Sequence, residues 1–249
     1  MTSLLRRLGN SLRELWDTFL LARYINSVCE YARRRNLLPV TAGTLARFIL
    51  VDEKPDRVSA LLAAYKVTVD PARLAAIADP TKVSDDASLA VAEIVSSAYY
   101  IARDARDARR VEPAELLVAL ARHATSAATL RQLGLTELQI TYFLSHGRPL
   151  PPTRNEELPE WPQRPSRAFV SMANDHYTPM ALVMTILIEI FGLETAFAQD
   201  TMLEIHRQGE RLLGPYPYEE ARTRAAQAIA IAREAGAPLL VSLAKDRTT

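Results

Sequence analysis

The sequence predicts two domains: an N-terminal all-α domain over residues 1–146, built as a pseudo-twofold repeat of helices, and a small C-terminal α/β domain over 168–249. Three observations predict this division. A proline-rich stretch interrupts the chain at 147–167. Ahead of it apolar residues recur at helical spacing, and one block of about 70 residues matches the next. Behind it the order of apolar runs and turn signals is β-α-α-β-α-β, which closes as a three-stranded antiparallel sheet.

Composition sets the class. Of 249 residues 49% are hydrophobic and 24% charged, and the net charge is +1. That is enough apolar sequence for real cores, and it gives no support to a nucleic-acid partner. Glycines number 8, while Ala, Leu, Arg and Glu dominate, so the bulk should be helical. A single cysteine, Cys29, excludes an intrachain disulfide and a Cys-rich zinc site. Standing at helical spacing from Ile25 and Leu21, it reads as a buried structural thiol and not as a nucleophile. The N-terminal run MTSLLRRLGNSLRELW has arginines inside its apolar pattern, unlike a signal peptide. The longest apolar stretch, Met180 to Ile188, falls far short of the ~18 residues that span a bilayer. A cytoplasmic protein without membrane or nucleic-acid partners is the default expectation.

The N-terminal repeat is visible in two pairs of segments. VTAGTLARFIL (Val40 to Leu50) lines up with VEPAELLVALA (Val111 to Ala121), each a strand-like Val, a Thr or Glu-Pro start signal and an apolar helix. LLAAYKVTVDPARL (Leu61 to Leu74) matches TLRQLGLTELQITYF (Thr129 to Phe143), with a loop three residues shorter in the second copy. An arginine-rich amphipathic helix precedes each copy. In RDARDARR, Arg103 and Asp107 stand at i,i+4, the pattern of a solvated face laced with weak ion pairs; a patch for an acidic partner is the competing reading.

Six of the 15 prolines fall within the 21 residues 147–167, where apolar periodicity vanishes. Proline denies helix and ladder hydrogen bonds and biases the chain to extended forms, so this stretch reads as a linker. Trp161 is the oddity in it, and packs on one of the domains if the linker is partly fixed.

In the C-terminal part RAFVSMA (Arg167 to Ala173) suits a strand. Thr178 then reads as a helix N-cap with Pro179 at the first helical position, and that helix ends at Gly192. A second helix, Glu194 to Gln208, ends at Gly209, where a left-handed residue suits glycine. RLLGPYPY is a short strand. A third helix, from about Glu219 to Ala235 and stopped by Gly236, leads to the last strand, Pro238 to Lys245. Asn174, Asp175 and His176 sit where strand gives way to helix, beside an apolar segment. By themselves they are an ordinary turn and cap. Met202, Ile205 and His206 stand at i, i+3 and i+4, which puts the imidazole at the rim of an apolar stripe. Taken alone, such a histidine is a satisfied boundary residue.

These motifs carry a resemblance. SMANDHYTPMALV, MLEIHRQG (Met202 to Gly209) and PLL (Pro238 to Leu240) resemble, without gaps, the blocks of the ClpS adaptor family, over about Phe169 to Lys245. The resemblance implies an adaptor that binds proteins with a bulky hydrophobic N-terminal residue and hands them to a Clp unfoldase. By position, Asn174, Asp175, His176, Thr178 and His206 would surround the α-amino group and first peptide unit. Met180, Val183, Met202, Ile205 and Leu239 would line the side-chain pocket. Glu219, Thr223 and Arg224 match the unfoldase-docking surface. The chemistry of these residues agrees, since an α-ammonium wants fixed acceptors and a large apolar side chain wants the adaptable lining that methionines supply.

Two positions depart from the family. His176 stands where an aspartate is usual; protonated, it would repel the amine. Ile205 replaces a commoner valine and narrows the pocket against the largest aromatic side chains. The N-terminal phrases VTAGTLARFIL and VEPAELLVAL resemble, more weakly, the double-repeat N-domain of Clp-type AAA+ unfoldases. No G-x-x-x-x-G-K-[ST] loop accompanies them, so an N-domain-like module without the motor is expected. Clp N-domains are what ClpS binds, so a regulatory or scaffolding alternative pairs the two domains within one chain or between two. A flexible 21-residue tether spans roughly 25 Å, giving an effective concentration on the order of mM. Asp175, His176 and His206 could also suggest a metal site, but ligand count and supporting carboxylates are missing, so no metal or cofactor is expected. No nucleophile-base pair or phosphate loop is visible, so an enzyme is not expected.

Overall fold

Every regular element described ahead of residue 167 is helical, and all three strands follow it. The computed structural model describes residues 26, 29–36, 40–53, 55–71, 74, 85–106, 111–152 and 158–245. The readings made on the first 25 residues, and the Asp107 pairing, lie outside them. The chain divides into two compact units, Met1–Ile140 and Thr141–Thr249.

In the first unit residues 29–34 are helical, and Cys29 is half-buried where a buried thiol was expected. Helix α1 (Ala42–Arg47) runs on into a π-helical turn, Phe48–Glu53; α2 (Asp56–Ala64), α3 (Asp85–Arg106), α4 (Pro113–Arg122) and α5 (Ala124–Gln132) follow, and α6 (Glu137–His146) begins in this unit and from Thr141 onward belongs to the second. Helix α4 is the centre: Ala114 to Ala121 are all buried, and it packs chiefly on α3. Its apolar sequence leaves no polar face, as a helix enclosed on all sides requires.

The two aligned segments share local geometry. At α1 the Thr41 hydroxyl accepts from the Thr44 amide while Thr44 Oγ1 accepts from the Thr41 amide, both at 3.2 Å. At α4 Glu112 and Glu115 close the same reciprocal box, with Glu115 Oε2 accepting from the Glu112 amide at 2.7 Å. Downstream, α2 and α5 end in matching reversals. The Val67 amide donates to the Leu62 carbonyl at 2.8 Å past Lys66 (φ 54°), and the Leu135 amide to the Leu130 carbonyl at 2.9 Å past Gly134 (φ 81°). Val40 and Val111, expected to be strand-like, lie in irregular backbone ahead of their helices. Beside the π-helical turn the Asp52 carboxylate gathers the Tyr31 hydroxyl, Arg35 and Arg47. Burial, then the bond to Asp52, pushes the Tyr31 phenol up to about 12.

The second unit has the expected β-α-α-β-α-β order: β1 (Arg167–Ala173), α7 (Met180–Glu189), α8 (Thr195–Gln208), β2 (Glu210–Pro217), α9 (Tyr218–Glu234) and β3 (Leu240–Lys245). The sheet order is β2-β1-β3, and both pairings are antiparallel. Ala168, Val170 and Met172 alternate along β1 onto one face and are fully buried, as are Ala221, Ala225 and Ala228 of α9, which packs on that strand. Small residues at helical spacing let the helix axis lie close over the sheet.

The proline-rich stretch belongs to this unit. Leu158 is buried in its core, Trp161 packs against that core, and Lys245 Nζ lies 5.4 Å from the Trp161 ring centre. Farther back, Arg233 donates to the Pro151 carbonyl at 2.8 Å. The described ends of the stretch are therefore held on the domain, unlike a free tether.

The β1–β2 register shifts between Ala168 and Val170, opposite Tyr216 and Leu213. Gly214 sits there at φ 110°, and a Cβ on it would meet the Tyr216 ring at 2.8 Å. Both the dihedral and the space demand glycine. Replacing Gly214 by Ala should cost about 1–3 kcal/mol, read as a lower urea midpoint for the transition reported by Trp161 fluorescence. An unchanged midpoint would contradict this packing.

Candidate functional site

The chain leaves β1 at Ala173 and must reverse into α7. Asn174 anchors the exit: its amide donates to the Gly209 carbonyl at 2.7 Å, tying the loop to the end of α8. Asp175 makes the turn. Its Oδ1 accepts from the Tyr177 amide at 2.8 Å and the Thr178 amide at 2.6 Å, and the residue is 9% exposed. The N-cap is Pro179, one residue later than the Thr178 expected from sequence, and α7 begins at Met180. Asp175 reaches forward to the amides that a Thr178 cap was expected to serve, so the capping oxygen comes from farther back.

Two oxygens of the loop are chemically unusual. Asp175 Oδ2 and Thr178 Oγ1 are both buried and have no hydrogen-bond partner among the described residues. Buried polar oxygens in folded proteins nearly always find a donor. A carboxylate oxygen left in this state is an acceptor suited to a cationic N–H donor. His176 is exposed at the tip of the loop.

The apolar side is built by three elements. Val183 of α7, Ile205 of α8 and Leu239, just ahead of β3, are almost fully buried in the same cluster, with Met202 half-buried against it. His206 follows Ile205 and is exposed, so the imidazole lies at the rim of the apolar stripe. Met180, named with the lining residues, is 48% exposed and lies outside the cluster, at the solvent end of α7. Gly209 (φ 87°) ends α8 and delivers the carbonyl that holds Asn174.

A residue that sequence spacing did not single out also belongs here. His146, the last residue of α6, bonds through Nε2 to the Pro238 carbonyl at 2.6 Å, immediately ahead of Leu239. Its ring meets Tyr142 edge-on, with centroids 4.7 Å apart. Burial holds the His146 imidazole below the usual histidine value; the Pro238 bond and then the Asp175 charge act the other way, and Arg148 adds to the lowering. No motif links residues 146 and 238, so only the fold reveals the contact.

The three expected docking residues lie on α9. Thr223 and Arg224 line a groove of about 410 Å³ with Glu189, Ile190, Gly192, Glu220 and Gln227. Arg224 is clamped: its Nε lies 2.9 Å from Glu220 Oε1, it donates to the Ile190 carbonyl at the end of α7, and its guanidinium stands 4.9 Å over the Tyr216 ring. Burial raises the Tyr216 phenol, opposed by Arg224. Glu219 lies outside the groove lining and pairs with Arg164 at 3.0 Å.

A three-stranded antiparallel sheet with α9 packed on it, and a polar loop leading into α7, makes the second unit a small α/β domain. The chain belongs to the ClpS family, whose model, described as ATP-dependent Clp protease adaptor protein ClpS, matches residues 163–242. The ClpS adapter of Ruegeria sp. (strain TM1040) is 40% identical over 84 residues, covering 34% of this chain and 74% of the relative. That of Shewanella denitrificans is 42% identical over 81 residues, covering 32% and 79%. A solved structure of Agrobacterium tumefaciens ClpS2 bound to L-phenylalaninamide is 29% identical and aligns with 33% of this chain and all of that one, at a TM-score of 0.32. Among the described residues no helix is long and apolar enough to cross a membrane, and no cluster of three His, Cys, Asp or Glu side chains could hold a metal.

Replacing Asp175 by Ala strands the Tyr177 and Thr178 amides. Their hydrogen exchange should accelerate about tenfold, the loss of a cap worth roughly 1–2 kcal/mol, while Asp175→Asn, which keeps Oδ1, should change it less. Equal exchange in all three proteins would contradict the capping role.

Proposed function

We propose that the C-terminal unit recognises proteins that begin with a bulky hydrophobic residue and delivers them to the N-domain of a Clp-type AAA+ unfoldase. The observation that carries this reading is the Asp175 carboxylate, buried with one oxygen fixed by two amides and the other unpartnered, on a loop whose Thr178 Oγ1 is also buried without a partner. An α-ammonium supplies three N–H donors and the opposite charge, so it matches that acceptor. Asn174 on the same loop and His206 at the rim of α8 each fall in a block that resembles the family and supply further acceptors. The floor of Val183, Met202, Ile205 and Leu239 is apolar and takes the side chain that follows the amine. Met180, exposed at the edge, is a flexible flap for that pocket.

His176 replaces the family's aspartate at an exposed position. The site therefore keeps one fixed carboxylate at its centre. Neutral His176 accepts through one ring nitrogen, whereas the charged form repels an incoming ammonium.

The groove beside α9 supports docking. Arg224 is held by Glu220, the Ile190 carbonyl and Tyr216, so its guanidinium presents a fixed geometry to a partner. Thr223 and Glu219 extend that surface along the helix. The first unit is a duplicated helical module similar to the Clp N-domain. Its paired capping boxes at Thr41 and Glu112, and its paired reversals at Lys66 and Gly134, support a duplication. The cytoplasm is the compartment in which such an adaptor meets its unfoldase.

Titration of the full chain with fluorescent peptides beginning with Leu, Phe, Trp or Tyr tests recognition. Binding should require the free amine, and acetylation should weaken it by about 100-fold or more, as expected for charge-assisted hydrogen bonds to a buried carboxylate. Failure of all four peptides would overturn the reading. For docking, Arg224→Ala should weaken association with a Clp unfoldase N-domain by about tenfold. Unchanged association would remove α9 from the interface.

A further inference from the structure

The contact between His146 and the Pro238 carbonyl brings a residue from outside the family-matched range 163–242 onto the rim of the candidate site. The side chain is held from several directions. Tyr142 packs on the ring edge-on, and Arg148 donates to the Tyr142 hydroxyl at 3.3 Å. Beyond it, the bond from Arg233 to the Pro151 carbonyl fixes the path of the segment. The contact is thus a built one, made by a segment laid along the second unit. Its carbonyl partner immediately precedes Leu239, which is 3% exposed in the apolar floor. The Asp175 charge acts on the same ring. His146 therefore touches the wall of the side-chain pocket at Pro238 and feels the charge of the Asp175 carboxylate without bonding to it.

We propose that His146 is a positioning residue for N-terminal recognition: neutral, it holds the Pro238–Leu239 wall in place, and charged, it competes with the ligand's ammonium for Asp175. The proposal rests on the recognition reading above and adds a determinant that the family's own motif lacks. With Nε2 bonded to a carbonyl, that nitrogen carries the proton in the neutral ring, and a second proton goes to Nδ1. The bond to Pro238 survives protonation, so the change on acidification is one of charge. Asp175 and Arg148 are the charged groups that act on the ring. A cation installed there satisfies the Asp175 field from inside the protein, and affinity for an external ammonium falls as pH drops through the His146 titration.

Three proteins separate the two effects: the full chain, His146→Gln and His146→Ala. Glutamine keeps an N–H donor for the Pro238 carbonyl and does not titrate; alanine loses both. His176 and His206 are present in all three, so their protonation cancels in the comparison. With a peptide beginning with Leu, His146→Ala should bind about fivefold more weakly near neutral pH, and His146→Gln should restore most of that loss. As pH falls from neutral to below the usual histidine range, where the lowered His146 titration lies, the parent chain should lose several-fold more affinity than His146→Gln. Independently of peptide, Asp175→Asn should lower the pH at which the His146 ring titrates, followed by NMR of the ring protons. Parallel pH profiles for the parent and His146→Gln, or a His146 titration unmoved by Asp175→Asn, would overturn the proposal. Peptide binding by the parent with no change in His146→Ala would overturn the wall-holding role while leaving recognition standing. No binding by any of the three would overturn both.

Discussion

The second unit turns on one carboxylate. Asp175 lies where the central strand must reverse into α7, and its Oδ1 grips the two amides that start the reversal. Remove that grip and the start of α7 loses its capping acceptor, because Pro179 provides no side-chain cap of its own, leaving the Asn174–Gly209 bond to hold the loop. The same residue leaves Oδ2 buried without a partner. One oxygen therefore builds the loop while the other makes no hydrogen bond among the described residues. A buried carboxylate oxygen with no donor is costly to maintain. Its persistence is intelligible if an external donor completes the site.

Around this point the unit divides the work between rigid and mobile parts. The sheet and the alanine face of α9 set the framework, and Val183, Ile205 and Leu239 form a floor that is closed within the core. Met202 is half-buried against that floor and Met180 is exposed outside it, so both thioethers are freer to adjust than the closed core. Arg224 joins this framework on another side, linking α9 to the end of α7 through the Ile190 carbonyl and resting on Tyr216. The groove beside α9 is thereby built into the packing of the same helices that frame the Asp175 loop.

The element order of the second unit was legible because each boundary carries a local signal. Gly192, Gly209 and Gly236 all adopt positive φ at helix ends, as their placement after apolar helical runs indicates. The clustering of Val183, Met202, Ile205 and Leu239 followed from the ClpS-like motifs, and helical spacing put His206 at the edge. What sequence did not reveal depends on contacts distant along the chain. Pro179 as cap, Asp175 as the source of the capping oxygen and the exposure of Met180 are all outcomes of how the loop closes on α8. His146 escaped notice for the same reason, since its partner lies 92 residues away. In the stretch 147–167 proline content argued for a tether, while Leu158 and Trp161 were two apolar residues among many polar ones. Their burial depends on a core that composition cannot locate.

The central claim is that an amine is held at Asp175 with its side chain on the floor formed by α7, α8 and the residue before β3. The most direct measurement is amide and methyl chemical-shift mapping of the full chain on addition of a short peptide that begins with leucine. The account predicts shifts at the Tyr177 and Thr178 amides together with the Val183, Ile205 and Leu239 methyls, none of which appear with the acetylated peptide. Shifts confined to other surfaces, or identical responses to the free and acetylated peptides, would contradict it.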